Sequence, residues 1–304
     1  MVIAPANERP LVSVATTVTK DRGFDSVFRT LDSFLPQEGP VPFEMIVVDA
    51  RDADRERRIR EHYPWVTLIQ TERLRPVPYQ RNVAVENARG DIVAFVDDHV
   101  AFRKDFLKQL VSAFASGVTI VGGSVANGNP ETLTSWVHHF CEYHQWFPAL
   151  PPEERVDLPG ANLAYRADVL RRLGPFAEDS FGLETHFLEK AGRAGEKMSF
   201  HPGLVVAHRN FDRWGAFCKR RFNYGRRFAA RRGFPPWKRV LYVLGAPLIA
   251  LLEYLRIFNH ARSDRTYLAK FIACTPLLVP TLFVWVAGES LGYAFGGDDR
   301  RGAD

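Results

Sequence analysis

PYQRNVAVENARGDIVAFVDDHV, residues Pro78 to Val100, is the stretch on which the fold turns. A helix-like segment runs to Gly90, and a short apolar strand follows from Ile92 to Val96. The strand stops at Asp97, Asp98 and His99. Placing three polar, metal-capable side chains at the end of an apolar strand is costly unless something pairs with them. Carboxylates and imidazole there suit a divalent cation, and open α/β sheets bind their ligands at the C-terminal edge of the strands. A cation in that position would hold a diphosphate. Acidic residues also end strands simply as turn formers or helix N-caps, and an isolated DDH would be read that way.

Outward from this stretch, strands and helices alternate through the first two hundred residues, which predicts an α/β fold. Leu11 to Val18 reads as a first strand, and Phe43 to Val48 as a second that ends at Asp49. Trp65 to Ile69 is a third, Ile92 to Val96 a fourth, and Val118 to Val125 a Gly-containing fifth. Phe24, Val27, Phe28, Leu31 and Phe34 have helical spacing, as do Phe106, Leu107, Leu110, Val111 and Phe114. Asp54 to His62 reads as a charged surface helix. No internal period or low-complexity segment is present.

Arg81-Asn82, followed by Ala84, Ala88, Gly90-Asp91 and the apolar strand into Asp97-Asp98, resembles the GT-A glycosyltransferases of family 2. The resemblance covers roughly residues 10 to 210. It implies a nucleotide-diphospho-sugar transferase fold, a Rossmann-like mixed sheet with flanking helices. It also implies a nucleoside-diphosphate sugar donor held with Mn²⁺ or Mg²⁺. Asp97 and His99 stand where the family's DxD motif binds the metal; the histidine in third place matches DxH variants of related enzymes. Asp98 would contact the ribose or the donor sugar. The polar turn after the first strand would hold the nucleotide through Thr19, Asp21 and Arg22, and Asp49 would meet the base or ribose. Arg81 belongs to the same donor-binding set.

The second half of the resemblance runs through LPGANLAYR, Leu158 to Arg166, where Gly160 and Asn162 match the family's acceptor-side Gly-x-Asn. A turn and its hydrogen bond explain those two residues equally well. Aligning on Ala194-Gly195 puts Glu184 in the position of the family's general base. Glu184 is otherwise a helix N-terminal carboxylate favoured by the macrodipole, and His186 is the alternative base. In FHPGLVVAHRNF, His208 stands where the family's strand ends in histidine, as a metal or diphosphate contact or as the cap of a buried strand. Arg220 and Arg221 would present guanidinium forks to the donor phosphates. A plain basic helix facing a membrane accounts for the same pair.

The 304-residue chain has a net charge of +5 that is unevenly spread. Residues 208–239 hold eleven Lys/Arg and one acidic residue, leaving 29 basic against 34 acidic residues in the rest. Such a belt suits a polyanion or an anionic membrane surface. Two apolar runs follow it: thirteen uncharged residues from Val240 to Leu252 and eighteen from Phe271 to Gly288. A full span wants about 20. The division expected is therefore a GT-A domain over residues 1–232 and a membrane-associated helical region over 233–304, on the cytoplasmic face of the plasma (inner) membrane. The N-terminus has no basic region followed by a long apolar run, so no cleaved signal peptide is expected. Cys141, Cys218 and Cys274 form no zinc-type cluster.

The function expected is inverting, metal-dependent transfer of a hexosyl group from the donor to a hydroxyl of a lipid-linked or cell-surface saccharide. A nucleotidyltransferase making nucleotide sugars is the alternative enzyme, although no N-terminal GxGxR loop is present. A non-catalytic basic protein binding membrane or nucleic acid is the alternative outside enzymology. No nucleic-acid partner is expected of the transferase.

Overall fold

The strand that carries the DDH lies at the centre of a mixed sheet. The computed structural model describes residues 2–3, 9–19, 24–50, 52–72, 75–178 and 183–296. Among these, ten strands form one sheet. Its parallel half joins β1 (Val2–Ile3), β2 (Val12–Thr17), β3 (Pro42–Ala50), β4 (Val66–Thr71) and β5 (Ile92–Asp97). β2 is buried at every residue, and β5 at every residue before Asp97. Continuous apolar runs of this kind are what strands covered on both faces require.

Three helices connect the parallel strands. In α1 (Ser26–Phe34), Val27, Phe28, Leu31 and Phe34 are buried, which is the apolar spacing of the sequence. α2 (Ala53–His62) is capped by Asp52, whose side chain accepts from the Arg55 amide. α3 (Val77–Asn87) starts after Pro76 and carries Pro78 in its first turn, where a missing N–H costs nothing.

After β5 the sheet turns mixed. β6 (Val100–Phe102) and α4 (Phe106–Phe114) lead to β7 (Ile120–Asn127). Then β8 (Glu153–Glu154), β9 (Asn162–Arg166), α6 (Ala167–Leu173), α7 (Leu183–Arg193) and β10 (Met198–His208) complete the layer, with α5 (Leu133–Tyr143) set between β7 and β8 in the chain. β9 runs antiparallel to both β5 and β7, and β10 runs parallel to β7. The C-terminal ends of β2, β3, β5, β7 and β10 therefore share one edge, and that shared edge positions the site.

The chain divides into two compact units. The first comprises residues 1–128 and 151–208, and the second residues 129–150 and 209–304. The boundary expected at 232/233 thus falls inside the second unit. α8 (Trp214–Arg231) supplies the reason: Gly225 and Phe222 pack directly on α11 (Arg265–Phe295), so the basic segment is part of the helical unit. α9 (Pro236–Leu244) and α10 (Ala246–Ala261) complete that unit. Its core holds Trp136, Phe140, Phe147, Phe217, Phe271 and Leu282. Of the described helices, α11 alone is long and apolar enough to cross a membrane, with mean hydropathy 1.9; α9 and α10 together pass the same test but meet at a 63° bend.

Candidate active site

β5 delivers Asp97 to the shared edge in register with Thr17 of β2. The next residue turns inward. Asp98 is fully buried. One of its oxygens accepts the Thr19 amide at 2.9 Å, and the other takes His99 Nδ1 at 2.7 Å. This second contact fixes the imidazole and leaves Nε2 as its free ligand nitrogen, the arrangement seen when a carboxylate orients a metal-bound histidine. β6 pairs with β10 so that His208 lies opposite Val100, and this brings His208 beside His99 with ring centroids 4.4 Å apart.

Asp97, His99 and His208 each offer one ligand atom, and these atoms lie within 4.8 Å of one another. His208 Nε2 is 3.5 Å from Asp97 Oδ2. Desolvation opposes ionisation of Asp97. The His208 hydrogen bond and the charges of His99, His208 and Arg81 outweigh it and hold the carboxyl below the usual carboxylate range. Among the described residues, His99 Nε2 is buried and has no hydrogen-bond partner. An orphaned ring nitrogen between a carboxylate and a second imidazole is costly unless a cation completes it, so the residues present fit a divalent metal.

A second cluster lies on α3, α7 and the turn before β9. Arg81 is 3 % exposed, with Nη1 2.8 Å from Glu184 Oε1 and Nη2 donating to the Gly160 carbonyl at 2.9 Å. Its guanidinium sits 5.0 Å from the Phe95 ring. Gly160 has no room for a Cβ, because the Glu184 carboxylate occupies that space. Glu184 remains a quarter exposed, so the carboxylate is both held and reachable. The Arg81 charge also acts on Asp97, which links the two clusters electrostatically.

The model of the family described as glycosyl transferase family 2 matches residues 16–174, more than half of the chain. The chain belongs to glycosyl transferase family 2. Among the relatives of this family 2 enzyme is the glycosyltransferase AglE of Haloferax volcanii, 26 % identical over 71 % of this chain and 72 % of the relative. A glucosyl-dolichyl phosphate glucuronosyltransferase of the same organism is 24 % identical over 61 % of this chain and 58 % of its own length. Among solved structures, a mannosyltransferase from Pyrobaculum calidifontis, in complex with GDP-Man and Mn²⁺, aligns with TM-score 0.59 and 20 % identity over 96 % of this chain and 90 % of that one. S. aureus TarS, residues 1–349, aligns with TM-score 0.52 and 17 % identity over 95 % and 93 %. The fold expected, GT-A, is the fold found, and the enzyme is a glycosyltransferase acting on a sugar donor.

Other expected positions of the family 2 site fall out differently. Thr19 lies at the edge, tied to Asp98. Asp21 and Arg22 lie outside the described residues. Asp98, expected on the donor, has no surface to offer; it braces His99 instead. Asp49 is the penultimate residue of β3 and is buried, and both its oxygens accept from Arg55 Nη1 at 2.9 and 3.0 Å. Burial raises its carboxyl above the ordinary value although Arg55 pulls the other way. Arg81, expected on the donor, spends its fork on Glu184 and Gly160. Asn162, expected on the acceptor side, is buried and donates to the carbonyls of Ser124 and Leu204, which bridges β7 and β10. His186 rides on α7 with Glu184.

Arg220 and Arg221 belong to the second unit. Arg221 is buried there against Glu142 at 2.9 Å and lies 4.0 Å from the Trp285 ring. Arg220 stacks on Tyr224 at 4.8 Å. Two contacts escaped the sequence reading, Arg55 on Asp49 and Arg81 on Glu184. The first had a local signal, a capped helix starting just after β3; the second spans about a hundred residues and had none.

Proposed function

We propose that this family 2 glycosyltransferase moves a hexosyl group, with inversion, from a nucleoside-diphosphate donor to a hydroxyl of a lipid-linked or cell-surface saccharide. The observation that carries the reading is the pair of clusters at one sheet edge. Asp97, His99 and His208 form a metal-type set, and Glu184 is held by Arg81, whose charge also acts on Asp97. A bound cation would neutralise charge developing on the departing diphosphate. Two imidazoles and one carboxylate suit a transition ion better than Mg²⁺, which prefers oxygen ligands, so Mn²⁺ is the better match of the two.

The chain's own residues do the rest. Asp98 keeps the His99 ring in one orientation and ties it to the nucleotide-side turn through Thr19. Glu184 takes the proton of the acceptor hydroxyl as that oxygen attacks the anomeric carbon from the face opposite the diphosphate. One carboxylate base suffices for a single displacement; the paired carboxylates of glycosidases are not needed. Arg81 and the missing Cβ of Gly160 keep Glu184 where the acceptor arrives.

The donor class draws support from the mannosyltransferase solved with GDP-Man and Mn²⁺. The lipid-linked acceptor draws support from the relative named for a glucosyl-dolichyl phosphate. The basic segment and the apolar helices of the second unit favour work at an anionic membrane surface, on the cytoplasmic face. The test is product analysis with a panel of nucleotide sugars and Mn²⁺. Release of nucleoside diphosphate with an inverted anomeric configuration supports the reading. Release of pyrophosphate would move the enzyme to the nucleotidyltransferases, and retained configuration would remove Glu184 as a single-displacement base.

A further inference from the structure

The second unit carries an apolar surface with no cover among the described residues. α9 buries none of its residues. Trp237 is 65 % exposed and Leu244 74 %. Leu241 of α9, and Leu248 and Leu252 of α10, are exposed as well. On α11, Ile272 is 63 % exposed within the eighteen-residue run that holds no charge. Arg231, Arg232, Lys238 and Arg239 flank the start of this surface. Lys238 Nζ and the Arg232 guanidinium both lie within 5 Å of the Phe234 ring, so the charges grow directly out of the apolar face.

By length alone α11 would cross a bilayer. Its other side forbids this. From Trp285 to Gly292 it packs backbone to backbone on α8. A Cβ on Gly225 would lie 2.6 Å from the Trp285 carbonyl, and one on Gly288 or Gly292 would overlap the carbonyls of Phe222 or Arg226. Trp214 Nε1 donates to Thr281 Oγ1 at 2.9 Å, so the two helices stay together along α8. α8 carries Lys219, Arg220, Arg221, Arg226, Arg227 and Arg231. Taking α11 across the hydrocarbon would take these cations with it, at about 2.5–3.5 kcal/mol each near the centre. The first half of α11 is covered by α5, with Phe271 on Phe140 and Cys274 at the Leu133 carbonyl.

The shorter run fails on length and on polarity. Thirteen uncharged residues make about 20 Å of helix, against a core of about 30 Å, and the bend of 63° between α9 and α10 shortens their reach further. The far half of α10 is tied to a polar group, Glu253 to His144 at 3.1 Å and His144 to His260 at 2.8 Å.

We infer that the second unit sits in one leaflet of an anionic bilayer, with α9 and the outer faces of α10 and α11 at the headgroup and upper acyl level, and that neither apolar run crosses. This rests on the membrane reading above and deepens it. Amphipathic helices with a cationic rim bind in this way through buried apolar area plus attraction to acidic lipid.

The test has two arms on the full chain. Flotation with phosphatidylcholine vesicles, with and without phosphatidylglycerol, reads association. Binding is expected with the acidic lipid and should weaken at least tenfold in Leu241→Asp and Leu244→Asp, both exposed positions that the fold tolerates. Absence of flotation, or equal flotation of these variants, overturns the membrane reading itself. The second arm reads sidedness with a membrane-impermeant maleimide, applied to intact cells and to inside-out vesicles. Ser116→Cys in the first unit marks the catalytic side, and the parent chain gives the blank. Ser263→Cys, between α10 and α11, and Phe295→Cys, at the exposed end of α11, should both label on the Ser116 side. Ser263→Cys labelling on the opposite side means that the α9–α10 run crosses. Phe295→Cys alone on the opposite side means that α11 crosses. Either result overturns the single-leaflet seating while leaving membrane association intact.

Discussion

Asp98 and His208 lie out of solvent at the strand ends of the first unit, whereas Leu244 and Ile272 stand well exposed on helices of the second. Each pair reverses the ordinary placement of its residue type. In the first unit the reversal is paired and tight. Asp98 is satisfied by Thr19 and His99, and one imidazole nitrogen of His99 is left without a partner among the described residues. In the second unit the reversal is broad, unpaired and edged with cations. A small unsatisfied polar set calls for an ion or a substrate, while an extended apolar face calls for a surface.

The comparison breaks most sharply at the base. Glu184→Gln keeps the size and the contact to Arg81 but cannot accept a proton, so turnover should fall roughly 10²- to 10⁴-fold. Nucleoside-diphosphate binding, read by calorimetry, should hardly change. Activity retained in this variant but lost in His186→Ala would move the base two residues along α7.

Next comes the metal set. Chelation should abolish transfer, with Mn²⁺ restoring it, and Asp97→Ala should cost about a hundredfold or more in turnover, as loss of charge stabilisation at a leaving group does. Full activity in chelator would leave the orphaned His99 nitrogen without a function. A smaller loss separates ligand from brace. Asp98→Asn should lower metal affinity by roughly 10- to 100-fold, the usual effect of removing a carboxylate behind a ligating histidine. A titration of activity against Mn²⁺ should show the curve shifted rather than flattened.

In the second unit, Gly288→Ala puts a methyl group where the Phe222 carbonyl lies, so α8 and α11 must part. Overpacking of this kind costs about 1–3 kcal/mol. Thermal unfolding should show it, with nucleotide binding by the first unit little changed. The smallest effect lies away from both surfaces. Tyr63 donates to Asp32 at 2.6 Å, and burial, with the neighbouring Asp32 carboxylate, pushes its hydroxyl up to about 12. Tyr63→Phe should cost about 1 kcal/mol. A raised value in the fold means that this contribution is whole below pH 10 and fades as pH rises toward 12. The gap between parent and variant should therefore close over that window.

The DDH at the end of β5 was legible because an apolar strand that stops at three polar residues is a local pattern, and the helix leading into it made the family resemblance specific. The resemblance offered His208 as a metal or diphosphate contact, and the pairing of β10 with β6 is what sets it beside His99. Glu184 was reachable only by choosing a register; Arg81, a hundred residues earlier, is what holds it. Asp98, Asn162 and Arg221 carried the right chemistry for ligands, and the fold gives all three to internal partners. For Asn162 and Arg221 the neighbours in sequence give no sign of this, because the partners come from other strands and helices.

By itself the sequence determined the alternation of strands and helices, the polar end of β5, the family, and the basic segment before two apolar runs. These depend on periodicity, composition and short-range spacing, which a chain carries locally. Tertiary structure decided which of the polar residues gather into a metal-type set and which are braces, that residues 209–232 pack with the C-terminal helices, and that α11 has a cationic neighbour along its inner side. Those depend on burial and on contacts between distant segments, where the cost of an unpaired polar group or a desolvated charge is set by whatever the fold brings alongside it.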